Sequence, residues 1–270
     1  MSLRKYLSSL LIFFSLSLSG QIQEILPFGV APAGAGVAFS EQWIAWDNPA
    51  AIVRTESPVL SLAYENRYFS PELSNEYVAV AVPTKYFHVA GAFNFFGFEQ
   101  YHEMMVSLSV ARQFGKVALG IEVDYFTLYL SPEYGYQHAL TAQIGMQAQL
   151  TDKFMLGCRV FNPTFTKITF PDSSRELPTL MQLGFSYLVT RDFTFYTQLG
   201  YELTNGLDWA IGVDYRILDT ISVRSGVRGA DYLVPSLGVG FNVARFGLFV
   251  MTEYDFRIGM SVMSNLSYQI

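Results

Sequence analysis

The sequence predicts an all-β protein: a membrane-spanning antiparallel β-barrel of about fourteen strands with an N-terminal plug in its lumen. Three observations predict it. Of the 270 residues, 51% are apolar and only 15% are charged, whereas soluble domains carry about 25% charged residues. After the N-terminal leader, no apolar run reaches the ~18 residues that suggest a helical span. Apolar and small or polar residues instead alternate, run after run, through most of the chain. A chain this apolar and without helical spans has one other route into a bilayer. It closes a sheet on itself, so that every backbone N–H and C=O is paired and no edge faces lipid.

The leader comes first. Arg4 and Lys5 precede an apolar stretch, Leu10 to Leu18, that is broken only by serines and too short to span a bilayer. Small residues follow at Ser17, Ser19 and Gly20. This is the pattern of a secretory signal peptide over residues 1–20, and it predicts export to the outer membrane of a Gram-negative cell. Losing Arg4 and Lys5 takes the formal charge from −6 to −8. An acidic exported chain has no electrostatic case for nucleic acid. The single cysteine, Cys158, excludes an intramolecular disulfide framework.

Residues 21–57 do not alternate and are expected to form the plug, with residues 58–270 forming the barrel. Within the plug, Gly34 and Gly36 lie in a small-residue run. Trp46, Asn48 and Pro49 lie in an apolar segment with a turn at Asn48-Pro49. A barrel of about fourteen strands is wider than the eight-stranded kind that side chains can fill. Its lumen therefore needs an occupant, and this compact segment is the expected one.

The strands follow. Val117, Leu119, Ile121, Val123 and Tyr125 alternate with Ala118, Gly120, Glu122 and Asp124. Phe193, Phe195, Thr197, Leu199 and Tyr201 alternate with Thr194, Tyr196, Gln198 and Gly200. Such runs place strands near 58–66, 75–83, 86–96, 101–112, 116–130, 136–150, 153–163, 178–190, 193–203, 207–217, 220–228, 234–244, 246–256 and 261–270. A soluble sandwich would carry Lys, Glu and Thr on its outer face. Here the second face is Gly, Ala, Ser and Gln, which suits a lumen, while the apolar face suits lipid. Tight turns, for example Thr151-Asp152 and Leu218-Asp219, alternate with mostly longer connections such as Ser131–Gln137 and Pro163–Leu177. Short turns belong to the periplasmic side and longer loops to the outside. The final Leu266-Ser267-Tyr268-Gln269-Ile270 alternates into a terminal apolar residue, similar to the signal by which such barrels are presented for insertion.

Ala33-Gly34-Ala35-Gly36-Val37-Ala38 followed by Trp46-Asp47-Asn48-Pro49-Ala50 resembles the start of FadL-like outer-membrane proteins. That group includes long-chain fatty-acid transporters and the PorV/PorQ-like components of type IX secretion in Bacteroidota. The resemblance implies a fourteen-stranded barrel with a luminal hatch, and it covers residues 29–52.

No catalytic, metal or cofactor chemistry is expected. His88, His102 and His138 are scattered, without cysteines or paired carboxylates at ligand spacing. No nucleophile motif accompanies them. The Gly-rich stretch near 29–36 follows no strand and opens no helix, so it is not a phosphate loop. The inward register does carry charge: Glu122, Asp124, Arg159, Glu202, Asp214, Arg216, Arg224 and Glu253, with Arg228 and Asp255 beside them. Buried charges need partners, and a salt-bridge lattice holding strands and plug is the expected arrangement.

Two functions fit, besides a remote barrel enzyme. The first is a non-enzymatic PorV/PorQ-like subunit of a secretion or assembly complex, partnered by outer-membrane lipid and by other outer-membrane or periplasmic proteins. The short chain and the polar lean of its inward charges favour it. The second is a FadL-type channel for hydrophobic small molecules such as fatty acids, which would need an apolar pocket beside the plug.

Overall fold

Strands with an apolar and a small or polar face leave no exposed edge only if they close. In the computed structural model, which describes residues 30–39, 47–171, 173–230 and 232–270, they do. The first half of the wall is β1 (Val59–Asn66), β2 (Ser74–Pro83), β3 (His88–Phe98), β4 (Tyr101–Phe114), β5 (Val117–Leu130), β6 (Gly135–Thr151) and β7 (Phe154–Phe161). Two short strands follow outside the wall, β8 (Lys167–Thr169) and β9 (Ser174–Glu176). The second half is β10 (Leu180–Thr190), β11 (Phe193–Glu202), β12 (Gly206–Leu218), β13 (Ile221–Gly229), β14 (Leu233–Val243), β15 (Phe246–Asp255) and β16 (Gly259–Gln269). Each wall strand pairs antiparallel with the next, and β7 pairs with β10. β16 returns to β1 in a register running from Val59–Gln269 to Asn66–Val262. The barrel is closed and has fourteen strands. The expected signal peptide and Trp46 lie outside the described residues.

The observed strands match the expected ones to within a few residues, because the pleat and the alternation are the same signal. Departures occur at the connections. The segment expected as a long loop at 163–177 contains the β8–β9 hairpin, paired from Lys167–Glu176 to Thr169–Ser174. The connection at 131–137 is a single helical turn, Ser131–Tyr134. At the same end of the barrel, β3 passes to β4 through Glu99 and Gln100 alone. Three register shifts, at Leu188/Thr190, Arg216/Leu218 and Gln149/Thr151, sit beside turns at the opposite end. A bulge there tightens the local twist into the turn. We refer to these as the loop end and the turn end.

The outward register is an apolar belt. Leu108, Ile121, Leu140 and Leu237 are more than half exposed, far more apolar surface than a soluble monomer presents. At the loop end it carries stacked rings: His102 lies 4.8 Å from Tyr129 and 5.6 Å from Phe95, and His138 lies 5.6 Å from Tyr125. Aromatic rings near strand ends suit a membrane interface.

Candidate functional site

The lumen is filled by chain that joins no strand. Residues 30–39 and 47–55 are buried inside the wall, in the half nearer the turn end. They lie there because the wall offers them glycine. Three cross-strand glycine pairs face inward: Gly120–Gly145, Gly157–Gly184 and Gly212–Gly226. A Cβ at Gly120 would collide with Pro49 and Ala50, at Gly145 with Asn48, at Gly157 with Val37, at Gly212 with Pro32 and at Gly226 with Ala33. Bare backbone on the wall is what lets the plug backbone approach this closely.

Asn48 holds the plug together and to the wall. Its side-chain oxygen accepts from the Ala50 N–H at 3.0 Å and so caps the short 3-10 helix Pro49–Arg54. Pro49 is the first residue of that helix, where its missing N–H costs nothing. The Asn48 amide donates to the Val37 carbonyl at 2.8 Å, and to the wall carbonyls of Met146 and Cys158 at 3.2 and 3.3 Å. Thus one side chain links both halves of the plug to β6 and β7. Gly36 packs against Asp47 so closely that no side chain fits between them. Gly34 takes a positive φ, +75°, at the end of the short turn Pro32–Gly34. A residue with a Cβ is strained there.

The wall grips the plug through a few polar side chains. Gln198 accepts from the Val37 N–H, and Gln147 donates to the Val37 and Phe39 carbonyls at 3.1 and 2.9 Å. Arg54 donates back to Gln147 at 3.2 Å, and His88 meets the Thr55 carbonyl at 3.1 Å. Arg224 pairs with Asp214 at 2.7 Å and donates to the Val30 carbonyl at 3.0 Å. Its guanidinium also lies 4.9 Å from the Phe39 ring centre and 4.3 Å from that of Phe249. A planar, always-charged group suits this combination of fork and stack.

The remaining inward charges also have polar partners. Ser107 donates to Asp124 at 2.5 Å, Ser109 donates to Glu122, and Gln143 donates to Glu122 at 3.1 Å. Arg159 donates to Gln182. Arg228 pairs with Glu253 at 2.9 Å, and Asn205 donates to Glu202 at 2.8 Å. Arg216 is exposed near the turn end of β12. A further buried group was not anticipated: Glu65 takes donors from Arg67 at 2.9 Å and Asn75 at 2.9 Å. Arg67 follows β1, beyond the reach of strict alternation. Gln147 and Gln198 were legible as inward by parity, but nothing in sequence showed that they meet the plug.

The expectation of a polar lumen needs correction. The inward register carries two apolar patches that a list of charges leaves out. One packs on the plug: Phe249, Met251, Met263, Tyr196 and Ala210 surround Val30, Ala31, Ala33, Ala35 and Phe39. The other lies at the loop end: Met105, Phe126, Leu128 and Ala139. Along β4, β5 and β6 the inward residues therefore form layers. Below an outer layer in which buried Glu103 faces Leu128 and Gln137, they are apolar (Met105, Phe126, Ala139), then polar (Ser107, Asp124, Thr141; Ser109, Glu122, Gln143), then small (Ala111, Gly120, Gly145) beneath the plug. Among the described residues no cluster of His, Cys, Asp or Glu is arranged to hold a metal ion.

A closed, apolar-belted barrel whose lumen is occupied by an unpaired insert defines a class, the plugged outer-membrane β-barrel. No family model matches the sequence, and no curated relative does. Solved structures do share the fold. The Pseudomonas putida toluene transporter TodX matches with a TM-score of 0.68 at 9% identity, over 92% of this chain and 97% of that one. A Pseudomonas aeruginosa FadL homologue matches at 0.66 and 11% identity, over 91% and 99%. The CymD monoaromatic hydrocarbon channel matches at 0.61 and 13% identity, over 89% and 97%. At these identities the likeness is one of fold.

Proposed function

We propose that this protein is a non-enzymatic outer-membrane channel that passes small hydrophobic molecules when its plug shifts. The observation that carries the reading is an apolar mouth above a plug that joins no strand. A plug of this kind can move without breaking the wall, since every ladder hydrogen bond of the barrel survives its displacement. An apolar mouth strips water from an apolar solute before it meets the polar layer, and that burial is favourable by about 25 cal/mol per Å². The likeness in fold to a toluene transporter and a monoaromatic hydrocarbon channel supports the same reading. The PorV/PorQ-like reading drew support from the short chain and from the polar lean of the inward charges, and the two luminal apolar patches weaken the second of these.

The test is reconstitution of the full chain in liposomes. A channel of this kind raises the entry rate of toluene over protein-free vesicles and leaves glucose entry unchanged. Purification from the native membrane supplies the second arm. A barrel recovered in fixed stoichiometry with other outer-membrane or periplasmic proteins, and with no effect on toluene entry, would mark it as a subunit and sink the channel reading.

A further inference from the structure

The β8–β9 hairpin turns inward. Ile168, Phe170 and Leu177, on and beside it, are buried against Met105, Phe126, Leu128 and Ala139 on the inward faces of β4, β5 and β6, with Tyr101 and Leu130 at the margin. Apart from these side chains, the exposed Phe165 and the prolines Pro163 and Pro171, the loop is polar: Thr164, Thr166, Lys167, Thr169, Ser174, Arg175 and Glu176. Its three buried apolar side chains thus fill an apolar recess in the mouth.

Polar contacts, most of them near one residue, attach the hairpin at its base. Asn162, at a positive φ of 54°, accepts from the Thr166 N–H at 2.9 Å and donates to the Leu177 carbonyl at 3.0 Å and to Thr179 at 3.3 Å. Thr141 on the wall donates to the Asn162 carboxamide at 2.8 Å. Asn162 ties the first and last residues of the loop together and leaves the rest attached by side-chain packing and by Thr166 Oγ1 to the Leu140 carbonyl at 3.1 Å. The Lys167–Glu176 ion pair, 2.6 Å, spans the hairpin itself and is exposed. That construction is a flap with a fixed root. Met105, one member of the apolar recess, also lines a small cavity with Tyr77, Ala92, Asn94, Ser107 and Glu122. The recess therefore continues toward the polar layer.

We propose that this recess binds a small uncharged apolar molecule, and that the β8–β9 hairpin is an internal competitor that occupies it until it swings out about Asn162. The ligand is no larger than the three side chains it displaces, and it is apolar to match Met105, Phe126, Leu128 and Ala139; the one carboxyl beside them, buried Glu103 opposite Leu128, already accepts from the Tyr101 hydroxyl. The ligand class rests on the channel reading; the competition does not.

The experiment uses the full chain, with ¹³C-labelled methionine methyl groups and toluene as the probe. The Met105 methyl lies in the recess and reports occupancy through the ring current of toluene. In an Ile168→Ser/Phe170→Ser variant the hairpin loses its grip. Met105 then responds to toluene at a concentration about tenfold lower than in the parent. Adding Leu128→Gln to that variant removes the gain. Heat-modifiable migration on gels confirms that each variant retains its barrel. Equal toluene response with and without the hairpin's side chains overturns the proposal, as does a gain that survives Leu128→Gln. The two readings also separate. A Met105 response without toluene flux supports the site and removes the channel. Flux without a Met105 response overturns the site and keeps the channel.

Discussion

Asn48→Ala tests the plug directly. The substitution removes the cap on Ala50, worth about 1 kcal/mol. It also removes the donor to the Val37 carbonyl at 2.8 Å and the longer contacts to Met146 and Cys158. Val37 retains Gln147 as a second donor, and the two wall carbonyls belong to strands of the sheet. The loss is therefore smaller than a fully orphaned set, about 1 kcal/mol for each half of the clamp. Together these give about 3 kcal/mol, or roughly a hundredfold shift toward the displaced plug at 1.4 kcal/mol per factor of ten. Planar-bilayer conductance reads this shift. The parent is expected to be nearly silent, and Asn48→Ala to open in bursts at least tenfold more often. Barrel stability stays unchanged, because no ladder bond is touched. Asn48→Asp keeps the cap and loses the donors, so its opening frequency falls between the two. Equal conductance in all three proteins, with the barrel intact, would refute the argument that Asn48 seats the plug.

Further expectations concern the wall. Gly157→Val places a side chain where the Val37 backbone sits. Overpacking costs about 1–3 kcal/mol, and the measured outcome is protease cleavage within residues 30–39, absent in the parent. Gly91→Ala, whose new Cβ makes ordinary contacts with Leu108 at 3.6 Å and the Ser107 carbonyl at 4.0 Å, serves as the neutral control. Asp214→Leu leaves Arg224 buried without its carboxylate and lowers stability by about 3–5 kcal/mol in urea unfolding, whereas Arg224→Met with Asp214→Leu recovers much of the loss. Ile121→Lys on the lipid face costs about 2–4 kcal/mol if the residue lies at mid-bilayer, read as reduced folding into vesicles. A tag in 163–177 is expected to be reachable on intact cells and one at Thr151-Asp152 not; the reverse pattern would invert the barrel.

The architecture was legible in the sequence because a β-strand writes its two faces with a period of two. Val117 to Tyr125 against Ala118 to Asp124 declares both a strand and which side meets lipid. Closure follows from the physics of the bilayer rather than from any one residue. The same parity placed Gln147, Gln198 and Gly157 inside, and the Asn48-Pro49 turn pointed to the segment that fills the lumen.

Parity stops at the face, however, and cannot say what stands opposite. Gly145 is a small inward residue in sequence; only the fold sets it beneath Asn48. Arg224 is an inward charge; only the fold stacks it between Phe39 and Phe249. Arg216 shares its parity yet lies exposed near the turn end. The apolar recess was hidden for the same reason. Met105, Phe126 and Leu128 lie on different strands, and Ile168, Phe170 and Leu177 lie in a connection with no period. The wall, its two faces and the need for an occupant could be read from the residues in order, since those depend on neighbours along the chain and on the solvent. The seating of the plug and the inward turn of the hairpin depend on contacts between residues far apart in sequence, which come together only in the folded barrel.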